Sequence, residues 1–256
     1  MNILITGGCG SLGKEFVKYL KDFNSITVID NNEWAVAEFQ KQFTCKIILE
    51  DFSEWKYDQD PCDAIIHCAA YKHLPLGEEN PNSFIDNNII KTRKLFAEAY
   101  KNNVDILFIS TDKAVEPCNL YGHTKAIGEK LCTHYNGSVA RCGNFIGSSG
   151  SVIPVWEKCL KDNAPLPVTD LEMKRFIIDP KDAARKIWAG FIAGKKLIIP
   201  EMKEVKLTHL IQTVLKLHRK PLDYPIKIIG RRKGEKMTEK IRWDHEQTND
   251  EYVSSS

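Results

Sequence analysis

Three features of this 256-residue chain predict an α/β protein built on a doubly wound parallel sheet with a smaller C-terminal lobe. Short β-branched runs alternate with stretches of helical apolar spacing, a glycine-rich turn joins the first run to the first helix, and the alternation gives way near Gly150. Strands that alternate with helices imply a parallel sheet covered on both faces, because each parallel crossover must pass over one face or the other.

Strands are expected at 2–5, 26–29, 46–49, 64–68, 105–110 and 138–141, where β-branched residues cluster between turn signals. Helices are expected at 13–20, 34–43, 83–102 and 119–135, on the spacing of their apolar residues. The stretch 51–63 is short for a crossover helix and reads as a helix reduced to a turn. After Gly150, Pro154, Pro165, Pro167 and Pro180 divide the chain into shorter pieces, followed by a helical block at 207–216. No internal repeat is present, and the Ser254-Ser255-Ser256 tail is expected to be disordered.

Composition excludes several classes. Lysine plus arginine (36) nearly cancel aspartate plus glutamate (34), so no field of either sign points to nucleic acid or to an anionic membrane. The run Arg231, Arg232, Lys233 and Lys236 lacks the interleaved aromatics of a nucleic-acid surface. Eight cysteines form no C-x-x-C pair and read as buried free thiols in a reducing cytosol. The histidines show no ligand spacing with each other or with cysteines, so no metal is expected. The chain opens directly on a strand, and no apolar run approaches ~20 residues, so a cytoplasmic location without a membrane partner is expected.

The first strand leads into Thr6-Gly7-Gly8-Cys9-Gly10-Ser11-Leu12-Gly13. Glycines at 7, 10 and 13 permit a tight turn, close backbone approach to a pyrophosphate and close packing of helix on sheet, with the helix N-terminus facing the negative charge. This is the signature of a Rossmann-type dinucleotide site. Asp30, at the end of the second strand, can accept hydrogen bonds from both adenosine ribose hydroxyls and would repel a 2′-phosphate. NAD is therefore expected, with NADP the alternative, and Asp51 is expected near the adenine amino group. Residues 1–150, with about 178–200, form the dinucleotide-binding domain of this reading; 151–177 and 201–256 form the smaller lobe.

Strand 105–110 runs into Thr111-Asp112-Lys113, and Tyr121-Gly122-His123-Thr124-Lys125 follows. Positions i and i+4 share a helix face, so Tyr121 and Lys125 project into one site. A nearby cation favours the phenolate and brings the tyrosine closer to acting as a base.

The motifs Ala69-Ala70-Tyr71-Lys72-His73, Ser110-Thr111-Asp112-Lys113, Tyr121-Gly122-His123-Thr124-Lys125, Arg141-Cys142-Gly143-Asn144, Gly147-Ser148-Ser149-Gly150-Ser151-Val152 and Gly234-Glu235-Lys236 cover most of the chain. On them the chain resembles the extended short-chain dehydrogenase/reductases, and among these the inverting UDP-N-acetylglucosamine 4,6-dehydratases. The resemblance implies that Tyr121 takes the C4 hydroxyl proton, Thr111 hydrogen-bonds that hydroxyl, Lys113 is the C5 base and Asp112 the C6 acid. It also implies a cofactor held by Gly7, Gly10, Ser11, Leu12, Gly13, Asp30, Asp51, Ala69, Ala70 and Lys125. A UDP-sugar would be met by Lys72, His73, Asn144, Ser151, Val152, Arg175, Arg232 and Glu235, and a homo-oligomer is expected. The sequence departs from the family at Cys142, where a tyrosine is usual, and at Asp30, where a small residue before an arginine suits NADP. A UDP-sugar 4-epimerase would use Thr111, Tyr121 and Lys125 but leave Asp112 and Lys113 idle. A non-catalytic NAD-binding regulatory protein of this fold tends to lose the tyrosine or the lysine, and this chain keeps both.

Overall fold

The computed structural model describes residues 1–148 and 151–246; Ser149 and Gly150 of the motif above, and the Ser254–Ser256 tail expected to be disordered, lie outside the described residues. The chain opens β1 (Asn2–Thr6), α1 (Ser11–Leu20), β2 (Ser25–Asp30), α2 (Glu33–Gln40), β3 (Lys46–Leu49), β4 (Ala64–His67). Short helices α3 (Leu74–Glu79) and α4 (Pro81–Ile85) lead to α5 (Thr92–Lys101), β5 (Asp105–Thr111), α6 (Leu120–His134) and β6 (Ser138–Cys142). Beyond these come β7 (Asn144–Phe145), α7 (Val152–Lys161), β8 (Leu166–Val168), β9 (Lys174–Ile178), α8 (Pro180–Ile192), β10 (Leu197–Ile198), β11 (Lys203–Lys206), α9 (Leu207–Leu217) and β12 (Ile226–Ile228).

Seven strands form one sheet in the order β10-β6-β5-β4-β1-β2-β3, and every pairing in it is parallel. Side-chain alternation assigns the two faces. Ile3 and Ile5 of β1, with Leu107 and Ile109 of β5, pack against α1, α2 and α8, where Phe16, Phe39 and Ile187 are fully buried. The intervening Leu4, Ile106 and Phe108 pack on the other face against α5, where Phe96 is fully buried. Each such side chain contributes about 2 kcal/mol relative to exposure, so a shift of one residue in register would be prohibitive. The expected doubly wound α/β fold is what forms. Its order reverses between β4 and β2 around β1, the place where such sheets bind ligands at their strand C-termini.

One crossover takes its expected form, and one helix departs from its own. The crossover over 51–63 is a single 3-10 turn, Phe52–Glu54, with Phe52 and Trp55 filling the space of a helix. The helix expected over 83–102 is interrupted by a π-helical turn, Asp86–Lys91. Its buried Asn88 accepts a hydrogen bond from Tyr71 N (2.9 Å) and donates to Tyr71 O (2.8 Å) and Thr124 Oγ1 (3.0 Å). The added helical residue turns this amide onto the loop after β4, an arrangement that apolar spacing does not encode.

The prolines after residue 150 act differently from expected at two points. Pro180 opens the thirteen-residue α8 with Asp179 capping its first turn, and Pro154 lies in the first turn of α7, where no intrahelical N–H is lost. Beyond the main sheet, β11-β9-β7 and β12-β8 form two small sheets. Trp156, Leu160, Leu166, Ile211 and Leu215 make a separate core beside them. The cysteines are all free, but burial is not uniform: Cys9, Cys62, Cys132 and Cys142 are buried, whereas Cys118 is exposed. Among the described residues, no helix is long and apolar enough to cross a membrane.

Candidate active site

The C-terminal ends of the central strands open into a cleft of about 480 Å³. Its floor is the glycine turn. Gly7 has φ +64, and a Cβ there would come within 2.7 Å of the Ala69 backbone, so glycine satisfies both the left-handed turn and the contact with the chain leaving β4. A Cβ at Gly13 would lie 2.6 Å from Gly8 Cα, so α1 packs directly on the turn. The N-terminus of α1 faces the cleft at Gly10, whose carbonyl accepts from Lys14 N (3.0 Å). Asp30 closes one end: Oδ2 accepts from Cys9 N (3.2 Å) and Oδ1 from Asn32 N (3.1 Å). A glycine cradle at a helix N-terminus with a carboxylate beyond it fits a dinucleotide.

Of the expected cofactor residues, Gly7, Gly10, Ser11, Leu12, Gly13, Asp30, Ala69, Ala70 and Lys125 line this cleft. Asp51 does not. Its Oδ1 accepts from Ser53 N (3.0 Å) and its Oδ2 pairs with Lys91 (2.8 Å), so it caps the 3-10 turn and ties it to the π-helical turn. Those partners hold its carboxyl below the usual carboxylate range, against the opposing effect of burial. Its neighbours Glu50 and Phe52 are the residues of that strand end that reach the cleft.

Thr111, Lys113, Tyr121 and Lys125 share the opposite wall. Asn119 begins α6 by accepting from Gly122 N (2.8 Å) through its side chain. Lys125, nearly inaccessible, lies with Nζ 4.0 Å from the centre of the Phe108 ring, and burial lowers its pKa to about 8. The Tyr121 phenol moves the other way: burial and then the Asp112 carboxylate push it up, with the Thr111 side chain opposing them. The net direction is therefore opposite to the acidification expected from Lys125.

Lys113 Nζ donates to Asp112 Oδ1 (2.9 Å) and to Asn144 Oδ1 (3.3 Å), and lies 3.8 Å from Glu239 Oε1. Asp112 itself lines neither cavity. It is fully enclosed, with Oδ1 also accepting from Thr111 Oγ1 (3.0 Å) and Oδ2 buried without a hydrogen bond. Its Oδ1 thus joins it directly to Lys113, which lines both cavities.

A second cavity of about 260 Å³ adjoins the cleft, and Lys113, Asn144, Ser151 and Arg232 line both. Val152, Arg175 and Glu235 line the second only, and Lys72 and His73 the first only. Ser151 Oγ is buried and makes no hydrogen bond, a group left for a ligand. Arg232 N donates to Glu235 Oε2 (3.0 Å), and the buried Arg175 donates to Lys174 O (2.7 Å).

Several residues of the site escaped the sequence reading. Asn87 lines the cleft beside Asn88, and Glu239 lines the second cavity. Behind β5, Arg141 donates to both oxygens of Glu129 (3.0 and 2.7 Å) and of Glu246 (2.7 and 3.1 Å), and Glu129 accepts from Ser110 Oγ. The only available signal was the occurrence of charged residues inside apolar runs.

Fold and site together define a nucleotide-binding α/β enzyme of the short-chain dehydrogenase/reductase type. The chain belongs to the polysaccharide biosynthesis protein family, whose model matches residues 3–255. An uncharacterized membrane protein of Methanocaldococcus jannaschii, MJ1061, is 37% identical over 93% of this chain and 79% of its own length. A UDP-N-acetylglucosamine 4,6-dehydratase (inverting) of Campylobacter jejuni is 34% identical over 93% of this chain and 76% of its own. The solved dTDP-glucose 4,6-dehydratase DesIV of Streptomyces venezuelae, with NAD and TYD bound, superposes with a TM-score of 0.83 at 21% identity, covering 94% of this chain and 88% of that one.

Proposed function

We propose that this chain is a C5-inverting UDP-N-acetylglucosamine 4,6-dehydratase with NAD as its resident cofactor. One observation carries the reading: Lys113 stands where the two cavities meet, on the same wall as Thr111, Tyr121 and Lys125. A site that only oxidised and reduced C4 would have no use for an amine there. The 34% identity to the Campylobacter dehydratase supports the same assignment.

In this reading the glycine turn, the α1 N-terminus, Asp30, Ala69, Ala70 and Lys125 hold the dinucleotide, and the Asp30 carboxylate favours NAD over NADP. When bound, the nicotinamide supplies a hydride acceptor at C4 and a donor at C6, so no net oxidation results. Thr111 holds the C4 hydroxyl and Tyr121 removes its proton. The resulting ketone acidifies C5–H, which Lys113 abstracts, while Asp112 gives a proton to the C6 hydroxyl, which departs as water. Return of a proton to C5 on the opposite face inverts that centre. Lys72, His73, Asn144, Ser151, Val152, Arg175, Arg232 and Glu235 provide donors and walls for the sugar nucleotide.

The purified protein, incubated with UDP-N-acetylglucosamine and UDP-glucose separately in deuterated solvent, tests the proposal. Loss of one water from the acetamido sugar, with deuterium at C5 and inverted configuration, is expected. An unchanged mass with inversion at C4 would replace dehydration by epimerisation, and a product lacking C5 deuterium would remove Lys113 from the base role.

A further inference from the structure

We propose that Asn119 is a positioning residue that ties the placement of Tyr121 to the seating of a sugar nucleotide at Arg232. The inference rests on the reading of Tyr121 as the group that takes the C4 proton and of Arg232 as a partner of the diphosphate. Its basis is one buried amide with both ends engaged. Asn119 Oδ1 accepts from Gly122 N (2.8 Å) in the first turn of α6, and Nδ2 donates to Gly234 O (2.8 Å), 115 residues further along the chain.

The far partner belongs to a turn of the small lobe. Arg232 N donates to Glu235 Oε2 (3.0 Å), which closes the turn; Arg232 lines both cavities and Glu235 the second. Gly234 has φ +81, and a Cβ there would come within 2.8 Å of Asn119 Cβ and 3.0 Å of Cys118 O, so the turn seats on the start of α6 with no side chain between. Two further bonds hold it: Lys236 Nζ donates to Val115 O (2.7 Å) and Cys118 Sγ to Gly234 O (3.1 Å). Of these three donors, Asn119 is the one whose side chain also caps the helix.

The near partner belongs to the redox wall. Gly122 follows Tyr121 directly and packs on the Lys113 carbonyl with no room for a Cβ. A cap fixes how the chain enters the first helical turn, so the Asn119 amide sets where Tyr121 stands relative to Thr111 and Lys113. A diphosphate paired with the Arg232 guanidinium draws the 232–235 turn against that amide, and the position passes to Tyr121 through two hydrogen bonds.

Binding and positioning are then linked in both directions. An occupant that orders the turn orders Tyr121, and a helix start held by Asn119 presents Arg232 to the diphosphate. The dinucleotide side stands apart from this link, because the glycine turn and Asp30 lie on β1, α1 and β2. Cofactor affinity should not depend on Asn119.

Asn119→Asp and Asn119→Ser test the link. Each keeps an oxygen that caps α6, but the carboxylate offers Gly234 O no proton and the serine hydroxyl falls short of it. Each variant, loaded with NAD, is titrated with UDP-N-acetylglucosamine and assayed for water loss. Sugar-nucleotide affinity is expected to fall ~10-fold and kcat ~10-fold, with NAD affinity within about 2-fold of wild type. In an Arg232→Ala background the same substitutions should weaken binding by less than about 2-fold further, since the turn then has no hold on the diphosphate. The assignment is overturned if both variants bind and turn over as wild type does, if NAD affinity falls together with sugar-nucleotide affinity, or if the losses add in full to that of Arg232→Ala. Wild-type protein that binds UDP-N-acetylglucosamine and removes no water overturns the dehydratase reading and leaves the link to be decided by the binding cycle. Wild-type protein that binds no UDP-N-acetylglucosamine overturns the reading of Arg232 and the link together.

Discussion

Gly122 lies against the backbone of Lys113: a Cβ at position 122 would sit 2.3 Å from the Lys113 carbonyl oxygen. This contact fixes how closely α6 approaches the turn after β5, and with it the placement of Tyr121 relative to Thr111 and Lys113. Gly122→Ala should cost about 1–3 kcal/mol through overpacking. Because a displacement of ~1 Å can cost ~100-fold in rate, turnover should fall more than stability alone implies. Thermal unfolding and steady-state turnover check this; an alanine variant with wild-type kinetics would show that the helix can shift without consequence.

Lys125 is expected to reduce the stability of the protein that it serves. Its folded pKa of about 8 lies below the ordinary 10.5, so between these values the unfolded chain binds the extra proton and stability rises with pH. Below pH 8 the full penalty is present, about 3 kcal/mol, reduced in part by the contact with Phe108. Lys125→Met should therefore raise the melting temperature at pH 7 by about 5 °C while lowering turnover ~100-fold. A lower melting temperature for this variant would contradict the sign of the effect.

The sheet was legible because its code is local: Ile3 and Ile5 alternate with Leu4, and the glycine turn stands between a strand and a helix. The π-helical turn was not, since Asn88 gains its partners Tyr71 and Thr124 only after folding. Thr111, Lys113, Tyr121 and Lys125 could be grouped because one strand end and one helix face carry them. Glu239 reaches Lys113 from a segment without regular structure, so no periodicity announces it. The enclosure of Asp112 was not legible either, since adjacency in sequence to Lys113 says nothing about how deeply each of two successive side chains in a tight turn is buried.

His67 should make the fold acid-sensitive. It is fully buried, accepts or donates to Thr6 Oγ1 (2.7 Å) and Thr92 Oγ1 (3.0 Å), and packs near Phe52, Phe96 and Phe108. Burial first, and Lys125 second, hold its pKa well below 6.5. Above pH 6.5 both states carry a neutral ring and nothing changes. Below it the unfolded chain takes up a proton that the folded chain refuses, so stability falls by about 1.4 kcal/mol per pH unit until the folded pKa is reached. Urea titrations of wild type and His67→Gln between pH 7 and pH 5 measure this. The variant should lose about one proton's worth of slope, and identical slopes would place the acid sensitivity elsewhere.

Asp30 sets the expected choice of cofactor, and its surroundings say how firmly. Both oxygens accept backbone hydrogen bonds, from Cys9 N and Asn32 N, so the carboxylate is held in place at the mouth of the glycine turn. It is half-exposed, and one face stays open to the cleft. A ribose 2′-hydroxyl can donate to it, whereas a 2′-phosphate meets like charge without a partner. Asp30→Asn keeps the size and one acceptor, removes the charge and should leave the turn intact. NAD binding is expected to weaken by about 1 kcal/mol, roughly 5-fold, and NADP binding to strengthen by a similar amount, so the preference narrows by an order of magnitude or more. Calorimetric titration with each dinucleotide reads both changes on one protein. A preference for NAD that survived in Asp30→Asn would mean that the shape of the pocket around Asn31 and Asn32, rather than the charge at position 30, makes the selection.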